Sequence, residues 1–161
     1  MMLKELELLA SKLKEVHLAL SRAISSLSDE EALAIRVTPE WSVQDIVAHL
    51  ASANRGMFGI AQRTAKGESP QLPPGYNNDT FNARQVVKRK TQSLSQVRDE
   101  LNTTLDETIA FFEGVTSEQL ELQGEHPLYG QVTLARLLEI IYNHEITHSN
   151  EIVNAIHQAK K

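Results

Sequence analysis

Apolar residues recur every three or four positions through four long stretches of the chain, and no stretch alternates apolar with polar for long enough to build a sheet. That spacing confines the chain to helices packed on helices, because each apolar stripe must be buried against another. Leu6, Leu9, Leu13, Val16, Leu20, Ala23, Ile24 and Leu27 mark a first helix over about residues 2 to 27. A second starts at Ser42, which can cap it with Asp45 at the reciprocal third position. Ile46, Leu50, Ala53, Met57 and Ile60 carry its stripe to Lys66-Gly67. The stretch GESPQLPPGYNND, residues 67–79, holds three of the five prolines and two of the seven glycines and predicts an irregular crossing. Tyr76 and Phe81 are candidates to shape a pocket mouth there.

Val87, Leu94, Val97, Leu101, Leu105, Ile109 and Phe112 predict a third helix of roughly 34 residues, starting at Asn78 or Asp79 and stopping at Gly114. Thr116 to Leu120 adds a short turn. Gly124 to Val132, with His126-Pro127 and Gly130, reads as a loop, and Thr133 caps a fourth helix reaching about His157. The expected architecture is all-α: one four-helix bundle domain over residues 1–161, with connections long enough for one or two overhand crossings. Leu13, Leu50, Leu101, Ile141 and Ile152 should lie in its core, and any site inside it.

Composition narrows the function classes. No apolar run approaches the twenty residues of a spanning helix, so no membrane partner is expected. The N-terminus intersperses charges among its leucines and has no secretory h-region, which makes the cytoplasm the default location. Cysteine is absent, which removes thiolate ligands and cysteine nucleophiles. A formal charge of -5 argues against binding a phosphate backbone, so no nucleic-acid partner is expected. The basic run Arg84, Lys88, Arg89, Lys90 reads as a solvated helix face, with a small anion as the functional alternative.

The chemistry rests on histidine. His144 and His148 stand four apart inside the apolar stripe of the fourth helix, a spacing at which two imidazoles can chelate one ion. Without an ion, each would have to find polar partners in the core. His49 borders the second helix's stripe, with Ser52, Gly56 and Gly59 leaving room on its open side, and is the candidate third ligand. His17, on the first helix, is the reserve. His126 and His157 read as surface residues. The run His144-Glu145-Ile146-Thr147-His148 also satisfies H-E-x-x-H, in which the glutamate is general base, but Glu151 and Asn154 stand where a metzincin has glycine and histidine. Glu145 is the candidate catalytic residue, at the stripe's edge, where it either contacts a water on the metal or faces solvent. Glu151 either orients an imidazole or supplies a fourth ligand.

Trp41-Ser42-Val43-Gln44-Asp45-Ile46-Val47-Ala48-His49-Leu50 resembles the W-S-x-x-D-x-x-x-H-L opening of the second helix in DinB-like, or YfiT-like, four-helix metalloproteins, and His144-x-x-x-His148 resembles their C-terminal ligand pair. Asn78-Asp79-Thr80-Phe81-Asn82 is similar to the D-x-[FW]-N element of the subgroup related to the N-terminal domain of mycothiol-dependent maleylpyruvate isomerase. The resemblance implies an up-down-down-up bundle, often a homodimer. It also implies one divalent ion, zinc or nickel with iron or manganese as alternatives, held at positions matched here by His49, His144 and His148. It further implies a small-molecule substrate and, in members that use one, a low-molecular-weight thiol as cosubstrate, activated as a metal thiolate. The isomerase's C-terminal domain has no counterpart in these residues, and its first ligand of the C-terminal pair is a carboxylate where this chain has His144. A metal-dependent enzyme, a thiol transferase or hydrolase, is the leading expectation; a bundle that only binds a ligand or metal is the alternative.

Overall fold

The computed structural model describes all 161 residues. Helices run Lys4–Ser25 (α1), Asp29–Ala34 (α2), Val43–Ala65 (α3), Asn78–Lys88 (α4), Leu94–Phe112 (α5), Ser117–Leu120 (α6) and Leu134–Ala159 (α7). Between α6 and α7, strands Gln123–His126 (β1) and Gly130–Thr133 (β2) pair antiparallel. The four long helices form the bundle, with α1 and α3 each packed against both α5 and α7.

Two apolar clusters give the helix directions. One joins Leu20 and Ile24 of α1 with Val43 to Ala51 of α3, Leu94 to Leu101 of α5, and Ile152 and Ile156 of α7. The other joins Leu6 and Ala10 with Met57 to Ala61, Phe112, and Leu134 to Ile141. Thus α1 and α7 run one way and α3 and α5 the other, the up-down-down-up order that long crossings permit. Leu13, Leu50, Leu101, Ile141 and Ile152 are all buried, as expected.

Between the clusters lies a polar layer. His17, Asn54, Thr104, Glu145 and Ser149 are buried there, each falling in the sequence gap between the two apolar groups of its own helix. Burying so many polar groups requires partners for them, and this layer holds the site.

Three local features depart from the sequence reading. The third helix is two helices, α4 and α5. The Ser93 hydroxyl accepts the amide of Gln96 and the Gln96 side chain accepts the amide of Ser93, so a capping box starts a new helix in mid-stripe. Asp29 accepts the Leu94 amide and pins that start to α2, a short helix that the apolar spacing did not reveal. The expected loop over 124–132 is largely the β1–β2 hairpin, with Gly130 at φ 67° where the turn enters β2. The Ser42–Asp45 capping box is present at the start of α3.

Candidate metal centre

α3 carries His49 and α7 carries His144 and His148, one turn apart, into the bundle wall. The three rings form a near-equilateral triangle, with centroids 4.9 Å (His49–His144), 5.0 Å (His49–His148) and 4.7 Å (His144–His148) apart. One nitrogen from each lies within 4.8 Å of the others, and Nε2 of His49 is 3.0 Å from Nε2 of His144. Trp41 backs His49 at 5.2 Å.

Surrounding hydrogen bonds fix the tautomers. The Glu145 carboxylate can only accept, so the Asn54 amide nitrogen donates to it at 2.9 Å. The amide oxygen of Asn54 then faces Nδ1 of His144 at 3.2 Å, which makes Nδ1 the donor and leaves the lone pair on Nε2. On His148, Nδ1 lies 2.7 Å from the Glu151 carboxylate and donates to it, which leaves Nε2 as the ligand atom of the neutral ring. Burial, reinforced by the neighbouring histidines, pushes His144 down to about 3. Burial and the charge of His148 push His49 down to about 4, so both are neutral near pH 7.

This donor set fits a divalent cation. Nδ1 of His49 is buried without a partner, and its Nε2 meets only the nitrogen of His144. Neutral imidazoles in tetrahedral or octahedral coordination at 2.0–2.1 Å stand about 3 Å apart, the separation of the His49–His144 pair. Three such nitrogens suit zinc, nickel, copper or iron.

Glu145 does not join the triad. It is 1% exposed; one carboxylate oxygen receives Asn54 and the other lies 2.7 Å from Nδ1 of His17. The second nitrogen of His17 lies 2.6 Å from Asn102. Burial opposes a charge on His17, yet Glu145 and Asn102 together raise its pKa above the ordinary value. His17 is therefore Glu145's partner rather than a reserve ligand, and the chain His144–Asn54–Glu145–His17–Asn102 crosses the polar layer. Both oxygens of Glu145 are thus engaged within the polar layer.

Beside the triad opens a cavity of about 220 Å³. His49 and His144 are at one side; Ser52, Gly56, Met57 and Ile60 of α3 form the floor, and Tyr76, Asn78, Phe81 and Asn82 come from the crossing and α4. Tyr76 and Phe81 pack ring to ring at 5.6 Å and line it as expected. The hairpin supplies His126, Pro127 and Leu128. His126 is thus 5% exposed and not a surface residue, whereas His157 is exposed. Gly124 brings the hairpin down, because a Cβ there would collide with Thr64 Oγ1. Glu125 ties it to the crossing: its amide donates to the Pro70 carbonyl at 3.2 Å and its carboxylate accepts the Leu72 amide at 2.7 Å.

Fold and site together define a class: an up-down-down-up helical bundle with a histidine triad open to a small cavity. The chain belongs to the DinB superfamily, whose family model matches residues 12–152. It is 21% identical over 154 residues to a protein of Oceanobacillus iheyensis whose name ascribes to it, without establishing it, metal-dependent hydrolase activity; the match covers 96% of this chain and 83% of the relative. It superposes on YfiT of Bacillus subtilis, reported as a probable metal-dependent hydrolase with an unusual four-helix bundle topology, with TM-score 0.83, 21% identity, and coverage of 99% and 91% of the two chains. Mycothiol-dependent maleylpyruvate isomerase superposes at TM-score 0.77 and 13% identity, over 91% of this chain and 60% of the isomerase. The colibactin self-resistance protein ClbS, solved with double-stranded DNA, shares the fold at TM-score 0.72 and 14% identity, over 91% and 92%. At these identities the superpositions establish the fold.

Proposed function

We propose that this protein is a metal-dependent enzyme acting on a small molecule, with one divalent ion, zinc or nickel before iron or manganese, held by His49, His144 and His148. The observation that carries this reading is the convergence of three imidazoles, two of them held neutral by burial, at the edge of an open cavity. A bound divalent ion there would act as a Lewis acid and lower the pKa of a water or thiol that reaches it. The protein's own residues do the rest: Asn54 and Glu151 orient two of the ligands, Trp41 backs the third, and the walls admit a compound of modest size. All of these groups come from one chain.

No carboxylate lines the cavity, which favours a nucleophile that needs no protein base. A low-molecular-weight thiol meets that condition, and we place thiol transfer to a small electrophile ahead of hydrolysis. Glu145 acts as a positioning residue through Asn54. Turnover of model aryl and alkyl electrophiles, measured with and without added thiol on metal-loaded protein, tests the assignment. Thiol-dependent turnover abolished by His148→Ala supports transfer, turnover independent of thiol supports hydrolysis, and one ion bound with neither supports the binding bundle.

A further inference from the structure

His126 is the one cavity-lining histidine outside the triad, and its surroundings give it a defined polarity. The Leu128 amide donates to its Nδ1 at 3.1 Å, so Nδ1 carries the lone pair and Nε2 the proton. Nε2 makes no hydrogen bond within the protein, and the residue lines the cavity. The ring cannot easily turn away: Tyr129 stacks on it at 5.0 Å and 29°, the β1–β2 pairing fixes its backbone opposite Gly130, and Gly124 and Glu125 clamp the strand to α3 and the crossing. Burial lowers its pKa, which keeps it in the neutral, single-proton form. It is close enough to the triad that its charge would depress His144 further. An N–H of fixed tautomer on a cavity-lining ring can be matched by an acceptor oxygen inside the cavity.

We propose that His126 is a substrate-binding residue whose Nε2–H donates to an acceptor oxygen, such as a carbonyl, on a small and otherwise largely apolar substrate. The inference rests on the reading of this cavity as the substrate site. The apolar part of such a substrate fills the space between Met57, Ile60, Leu72, Phe81 and Leu128, and the oxygen meets the hairpin histidine. The aromatic and aliphatic walls favour an apolar body on the side of the cavity away from the triad.

The test uses the full chain and two probes of similar shape: acetophenone, with a carbonyl acceptor, and α-methylstyrene, without one. Histidine ring ¹⁵N spectra of the unliganded protein should show His126 as the Nε2–H tautomer, and acetophenone should shift that nitrogen. His126→Phe keeps the ring volume and removes the donor, and should weaken acetophenone binding about tenfold while leaving α-methylstyrene unchanged. An Nδ1–H tautomer, equal acetophenone affinity in parent and His126→Phe, or no binding of either probe overturns the proposal. The tautomer is read on the parent protein, so the test stands even if the variant fails to fold. Titrations with and without added zinc separate the two readings: a His126-dependent preference for acetophenone in protein that takes up no ion keeps this inference while the metal assignment falls, and ion uptake without that preference does the reverse.

Discussion

Glu145 and His17 face each other across the α1–α7 contact with both side chains almost fully buried, and each depends on the other for a partner. Truncating one member of such a pair leaves a buried charge uncompensated, at about 3–5 kcal/mol. Glu145→Ala should therefore lower the unfolding free energy obtained from urea melts by an amount in that range, whereas Glu145→Gln, which keeps the shape and one acceptor, should cost less. If Glu145→Gln keeps full stability and metal but loses all turnover, the glutamate has a chemical role that its position does not suggest. The triad gives a pH dependence of definite sign. His49 and His144 have folded values near 4 and 3 against an ordinary 6.5, so the unfolded chain binds more protons below about pH 6.5. Metal-free protein should be most stable above that value, and these two groups should together cost about 4 kcal/mol between pH 7.5 and 5 in urea melts. His17 opposes this, because its raised value contributes stability below 6.5 that is lost as pH rises through the folded value, but it is one group against two. At this scale the sequence showed the triad, because a pair at chelating spacing inside an apolar stripe is visible in one dimension. It did not show where Glu145 and His126 point. Glu145 sits at the stripe's edge, and only the neighbouring helix with His17 makes that edge interior. His126 precedes a proline in what reads as a loop, and only Gly124's close approach to Thr64 buries it. The readable signal for Glu145 was a polar residue at mid-height in each helix: His17, Asn54, Asn102 and Glu145.

Among the elements, the hairpin and the crossing wall the cavity jointly, held by the Glu125 bonds to Pro70 and Leu72. Gly124→Ala forces Thr64 or the strand to move and should cost about 1–3 kcal/mol, read as a lower thermal midpoint, and should loosen the crossing. Limited proteolysis of this variant should cut within residues 67–77 sooner than in the parent; equal cleavage rates would show that the hairpin does not restrain the crossing. Helix existence was legible wherever the three-four spacing ran unbroken. The division of α4 from α5 was not, because Val87, Leu94 and Val97 stay in phase across it while the cap at Ser93 depends on side-chain bonds that spacing does not register. The hairpin was hidden for a similar reason: four-residue strands show no period, and the close approach of Gly124 in β1 to Thr64 of α3 is a tertiary contact that spacing does not register.

For the whole molecule, two apolar clusters hold the bundle ends and leave a polar layer at mid-height, so the core's stability and the site's polarity are segregated along the axis. The α-class and the bundle were within reach of the apolar stripes, whereas the up-down-down-up order came only with the family resemblance, because long connections permit parallel neighbours without dictating them. Which polar residues meet inside was not, because that depends on helix pairing. The central claim is that three imidazoles from α3 and α7 hold one divalent ion, and the most direct test is elemental analysis of untagged protein, parent against His49→Ala and His148→Ala, each checked for folding by circular dichroism. One ion per chain in the parent, lost in both variants and released from the parent as the pH falls below about 6, is the predicted result. Folded variants that keep the parent's metal content and pH profile would contradict it.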